Sequence, residues 1–150
     1  DIAATEREVW TVLADIASWP TWTPAIRHAV RDENLEVGAR FRFSTEIGTL
    51  KCRVTQVDAP NLLSWRGRVL LLGERQTWRF EPHTDGTHVS VEGEMTGPVS
   101  RLFRRRLDAR LQRVLEAVVQ LLRLEAEVRA VEEREFAPPE AMQGRDEDDE

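Results

Sequence analysis

The sequence predicts an α+β domain in which a curved antiparallel sheet of about six to seven strands wraps around one long C-terminal helix. Three observations lead there. A capped helix with an apolar face opens the chain. From residue 26 to residue 95 the apolar period is two, interrupted by turn residues, as in consecutive antiparallel strands. After Gly97-Pro98 the period becomes that of an amphipathic helix and stays so from about Val99 to Glu133.

Each element has its own signal. Thr5-Glu6-Arg7-Glu8 is a capping-box pattern, and Val9, Trp10, Leu13, Ile16 and Ala17 follow at helical spacing. That helix should stop near Ser18-Trp19-Pro20, because the residue before a proline is pushed out of the α region. Trp19 to Pro24 then reads as an aromatic-rich turn or a single helical turn. The first strand places Ile26, His28 and Val30 on one face and Arg27, Ala29 and Arg31 on the other. Phe41 and Phe43, then Leu50, Cys52 and Val54, then Leu63, Trp65, Gly67 and Val69 alternate with polar residues in three further strands. Gln76, Trp78 and Phe80 mark the fifth, and Val89, Val91, Gly93 and Met95 the sixth. Asp85-Gly86 joins these last two as a hairpin turn. On the long helix the apolar stripe includes Phe103, Leu107, Leu111, Val114, Val118 and Leu122.

Charge is divided unevenly. The net −6 hides a tail, residues 125–150, with 11 acids against 3 arginines, while residues 1–124 hold 16 acids and 18 bases. The body is thus near neutral, without the basic excess of a nucleic-acid binder. Residues 1–133 are expected to form the domain, and the Pro- and acid-rich residues 134–150 a disordered tail. The chain opens on Asp1 rather than Met, so the natural protein is expected to begin earlier, and no signal peptide is visible. The lone Cys52 permits neither an internal disulfide nor a cysteine-rich zinc site, and it fits a cytoplasmic location. His28, His83 and His88 lack the spacing of metal ligands, so no metal and no cofactor is expected.

The order of helix, aromatic turn, meander and long helix resembles the START-like (SRPBCC) superfamily, whose fold is called helix-grip, and in particular its polyketide cyclase/dehydrase-like branch. The likeness is carried by Ala3-Ala4-Thr5 leading to Val9-Trp10, Asp15-Ile16, Trp19-Pro20-Thr21-Trp22, Gly38-Ala39-Arg40-Phe41, Val57-Asp58-Ala59-Pro60, Leu63-Ser64-Trp65 and Thr77-Trp78-Arg79-Phe80-Glu81-Pro82. It covers roughly residues 2–130. The resemblance implies a cavity between sheet and helix that takes lipids, polyketides or other apolar molecules. It also implies a strand before the first helix, of which only Asp1-Ile2-Ala3 remains, so one sheet edge is expected to be unpaired.

Within such a cavity the expected lining is His28, Phe41, Phe43, Trp65, Gly67, Gln76, Trp78, Val91, Gly93, Phe103, Leu107 and Leu111. Gly67 and Gly93 either leave room for a ligand or merely permit sheet curvature. His28 either orients a ligand carbonyl or acts as a general acid/base, or else is a buried histidine satisfied by backbone. Gln76 and Glu74 share the phase of Trp78, and Glu74, next to Gly73, either supplies an inward polar group or reaches water at a strand end. His28 and Gln76 are the first catalytic candidates. Arg101, Arg104, Arg105 and Arg106 crowd the start of the long helix, where cations oppose the macrodipole. They are a solvated face, a contact for a peripheral membrane surface or a ligand headgroup, or a partner for the acidic tail. Three functions follow: binding of an apolar small molecule, a polyketide aromatase/cyclase performing aldol condensation or dehydration, and an interaction protein acting through its arginines and acidic tail.

Overall fold

The computed structural model describes residues 1–137, so most of the expected disordered tail lies outside the described residues. Helix α1 (Glu6–Ala14) is followed by a 3₁₀ turn (Ile16–Ser18), helix α2 (Trp19–Trp22), strands β1 (His28–Arg31), β2 (Arg40–Thr45), β3 (Gly48–Asp58), β4 (Leu62–Val69), β5 (Leu72–His83) and β6 (Gly86–Thr96), and helix α3 (Pro98–Glu135). The six strands form one antiparallel sheet in the order β1-β2-β3-β4-β5-β6. This is the expected meander around a long helix, the helix-grip architecture.

The capping box of α1 forms as its sequence requires. Thr5 Oγ1 accepts from the Glu8 N–H at 3.3 Å and Glu8 Oε2 accepts from the Thr5 N–H at 2.6 Å. The helix ends at Ala14, four residues earlier than the proline alone predicts, because Asp15 leaves the helical region (φ −80°, ψ 72°). Trp19 to Trp22 form the anticipated single turn, with Pro20 in its first turn, where its missing N–H costs nothing.

Ile2 pairs with Thr87 by two backbone hydrogen bonds of 2.8 and 2.9 Å, so the first residues cover one position on the outer edge of β6. Among the described residues no further strand pairs with that edge. Ala3 also donates its N–H to Glu127 Oε1 of α3 at 3.0 Å, tying the chain's start to the long helix.

Helix α3 breaks at Phe103 (φ −123°, ψ 24°). The first turn therefore does not share the phase of the rest, and Phe103 leaves the apolar stripe to stand 54% exposed. Gly97, with φ +96°, begins the helix so close to the Leu71 carbonyl that a side chain there would collide with backbone. Beyond the break, Leu111, Leu115, Leu122, Ala126 and Ala130 are buried, and α3 packs on α1 as well as on β5 and β6.

Candidate functional site

A cavity of about 460 Å³ lies between the sheet and α3. That size is within the usual range for small-molecule sites. Its sheet wall holds Phe43, Leu50, Trp65 and Trp78; α3 supplies Leu107, Leu111, Val114, Leu115 and Val118; Trp19 and Trp22 close it from α2. The aromatic side is built as a stack. Trp65 and Trp78 lie 6.4 Å apart at 17°, and Trp19 packs against Phe41, Phe43 and Trp65 at 5.6–5.8 Å. Trp19 is itself pinned by its indole N–H, which donates to the Leu13 carbonyl at 2.9 Å.

Alternation on β5 puts Glu74, Gln76 and Trp78 on this inner face. They form a one-way chain. The Trp78 indole N–H donates to Gln76 Oε1 at 3.1 Å, and Gln76 Nε2 donates to Glu74 Oε1 at 3.2 Å. An indole only donates, so Gln76 must accept from it with its oxygen and turn its amide N–H to Glu74, which fixes the direction. Burial pushes the Glu74 carboxyl above its ordinary range, while its contacts with Gln76 and Trp65 pull the other way. The Trp65 indole N–H favours that charge without reaching ordinary hydrogen-bond geometry.

Among the described residues three buried side-chain polar atoms lack a hydrogen-bond partner: Trp22 Nε1, Thr23 Oγ1 and Trp65 Nε1. All three residues line the same cavity. Leaving a buried polar group unsatisfied costs about 1–3 kcal/mol. Three such groups around one cavity are therefore a feature that a bound molecule or water would relieve.

Of the expected lining, Phe43, Trp65, Gln76, Trp78, Leu107 and Leu111 meet at the cavity. The others do not. His28 is exposed and points outward, because the backbone bends at Arg27 and β1 starts only at His28; Ala29, paired with Phe43, takes the inward phase. Phe41 is buried in the aromatic packing behind the wall. Val91 stands opposite Trp78 and packs on the core beside the cavity. Gly93 gives its space to α3, since an added Cβ would strike Leu115 and come within 3.1 Å of Leu111. Gly67 gives its space to Cys52 and Glu74, whose Sγ and Cγ lie 2.9 and 3.3 Å from the position of a Cβ. Phe103 is turned out by the break in α3.

Sequence reasoning did not find Trp22 and Thr23, which lie where no periodicity fixes a direction. Their only signal was an aromatic-rich turn beside a proline. Cys52 is buried, and burial together with the nearby Glu74 charge raises its thiol so far that a reactive thiolate is disfavoured.

The meander, the gripped helix and the cavity between them define a START-like helix-grip domain. The chain belongs to the family of polyketide cyclases/dehydrases and lipid transport proteins, whose profile matches residues 1–128. Among solved structures it is similar to the Zhui aromatase/cyclase from a Streptomyces species, at 18% identity and a TM-score of 0.68, covering 91% of this chain and 92% of that one. A START superfamily protein from Mycobacterium smegmatis matches at 17% identity and a TM-score of 0.65, covering 87% and 92%. The di-domain ARO/CYC StfQ of the steffimycin biosynthetic pathway matches at 23% identity and a TM-score of 0.67, covering 90% of this chain. The chain spans about half of that protein's length, 49%. No curated protein matches it in sequence. Among the described residues no helix is long and apolar enough to cross a membrane.

Proposed function

We propose that the protein binds an apolar small molecule, of lipid or polyketide type, in the cavity between sheet and α3. The observation that carries this reading is the coincidence of an apolar cavity of about 460 Å³ with three unpartnered buried polar atoms on its wall. A site made only to pack would have been filled or would have paired those groups. Native mass spectrometry of protein purified from its host should find an apolar molecule bound, and Val118→Trp should displace it. Empty wild-type protein that also ignores a titration with Nile red would overturn the reading.

The second reading is catalysis, an aromatase/cyclase acting on a poly-β-ketone by aldol condensation or dehydration. Family membership and the aromatic side of the cavity favour it, since stacked indoles would hold a flat, folded chain. Gln76 remains its candidate, since it lines the cavity, whereas His28 is exposed and is not among the lining residues. Turnover of a poly-β-ketone that Gln76→Leu slows at least about tenfold supports this reading; no turnover by wild-type protein rejects it.

Access to the cavity suggests a surface. Ile47, Leu70, Leu71, Leu102 and Phe103 are exposed on the β2–β3 turn, the β4–β5 turn and the start of α3. Close packing of Val69 on Gly48, and of the Leu71 carbonyl on Gly97, brings these three segments to one end of the molecule. Arg101, Arg104, Arg105 and Arg106 are exposed beside them. Apolar tips flanked by arginines suit an anionic lipid surface, at about 1 kcal/mol per basic residue near the headgroups. Co-sedimentation with phosphatidylserine vesicles that Arg104→Glu plus Arg105→Glu abolishes supports docking; equal sedimentation with neutral and anionic vesicles rejects it.

A further inference from the structure

The polar groups of the cavity fall on two elements. Trp22 and Thr23 belong to α2 and the residue that caps it, and Trp65 and Glu74 to the sheet. Trp22 Nε1 and Trp65 Nε1 only donate. Thr23 Oγ1 both donates and accepts, and Gln76 has committed its oxygen to Trp78 and one N–H to Glu74. The hydrogen bond from Gln76 falls on Glu74 Oε1, so Oε2 is the oxygen left to carry a proton. With that proton in place, Glu74 is a further donor on a wall that already presents unused donors.

We propose that Glu74 is the specificity residue of this cavity: its carboxyl proton is given to an acceptor oxygen of the ligand, which selects a carbonyl-bearing apolar molecule over one with no acceptor there. This rests on the cavity being a ligand site. The surroundings agree with a neutral carboxyl. Across the sheet Glu74 stands between Gly67 on β4 and Met95 on β6, neither of them charged. On β3 the titratable neighbour is Cys52, which stays a thiol. From α3 and from the β2–β3 turn, Arg110 and Glu46 reach the same cavity, but both are exposed to solvent. Burial raises the Glu74 carboxyl, so the proton persists to higher pH than on a free side chain.

The test compares two probes that fit such a cavity, the naphthyl ketone prodan and its ketone-free parent dimethylaminonaphthalene. Wild-type protein should bind prodan about tenfold more tightly than the parent while Glu74 is protonated, and lose that preference as pH rises through its titration. Glu74→Leu should reduce prodan to the affinity of the parent at all pH values. Glu74→Gln keeps a donor that cannot titrate, so the preference should no longer depend on pH. If the parent binds but prodan gains nothing over it, or if the pH dependence survives in Glu74→Gln, the role given to Glu74 is wrong while the cavity remains a ligand site. If circular dichroism shows folded protein and neither probe binds, the ligand-site reading fails, and the role of Glu74 with it.

Discussion

Glu74 links the cavity to the stability of the fold. In the unfolded chain its carboxyl titrates near the ordinary 4.5, whereas in the fold burial raises it. The folded state therefore keeps a proton that the unfolded state has already lost, and stability falls as pH rises from 4.5 through the raised value. Glu127 behaves oppositely. The Ala3 N–H first, and Arg123 after it, hold its carboxyl low, so its contribution is present above 4.5 and is lost as pH falls through its lowered value. Urea midpoints of Glu74→Gln should accordingly be flatter than wild type as pH rises above 4.5, with no change on the acid side. Single residues were only partly legible in the sequence. Gln76, Trp65 and Trp78 lie on regular strands, where period two decides the face. His28 lies one residue past a bend, where that count has to be restarted.

The elements themselves were read well because their signals are redundant. The six strands occur in the order of their alternating segments, and Thr5 caps α1 by the geometry that its four-residue motif describes. What periodicity could not convey is contact between elements. Gly93 looks like room for a ligand until α3 is placed on it, and Phe103 looks like part of a stripe until the helix breaks there. Gly93→Val should destabilise the protein by about 1–3 kcal/mol through overpacking against Leu115. Equilibrium denaturation measures this directly; a neutral result would mean that α3 can shift away from β6. The close approach of α3 to the sheet at Gly93 fixes the height of the helix above the wall and so the depth of the cavity.

At the scale of the whole molecule, the sheet is made only of neighbours in sequence, since each strand pairs with the one before and the one after it. Hairpins of this kind close short loops, and their assembly does not wait for distant parts of the chain. Residues 2–4 and α1 are different. Ile2 reaches Thr87, and Ala3 reaches Glu127 across 124 positions of sequence, so this clasp can form only when almost the entire chain is in place. It should then belong to the late side of the folding barrier. Glu127→Ala is expected to speed unfolding in stopped-flow chevrons and leave the refolding limb nearly unchanged, a φ-value close to zero. The same clasp would act as the latch on the native state: how long the protein keeps its shape would depend on a few residues at the beginning of the chain, rather than on the sheet that makes up its bulk.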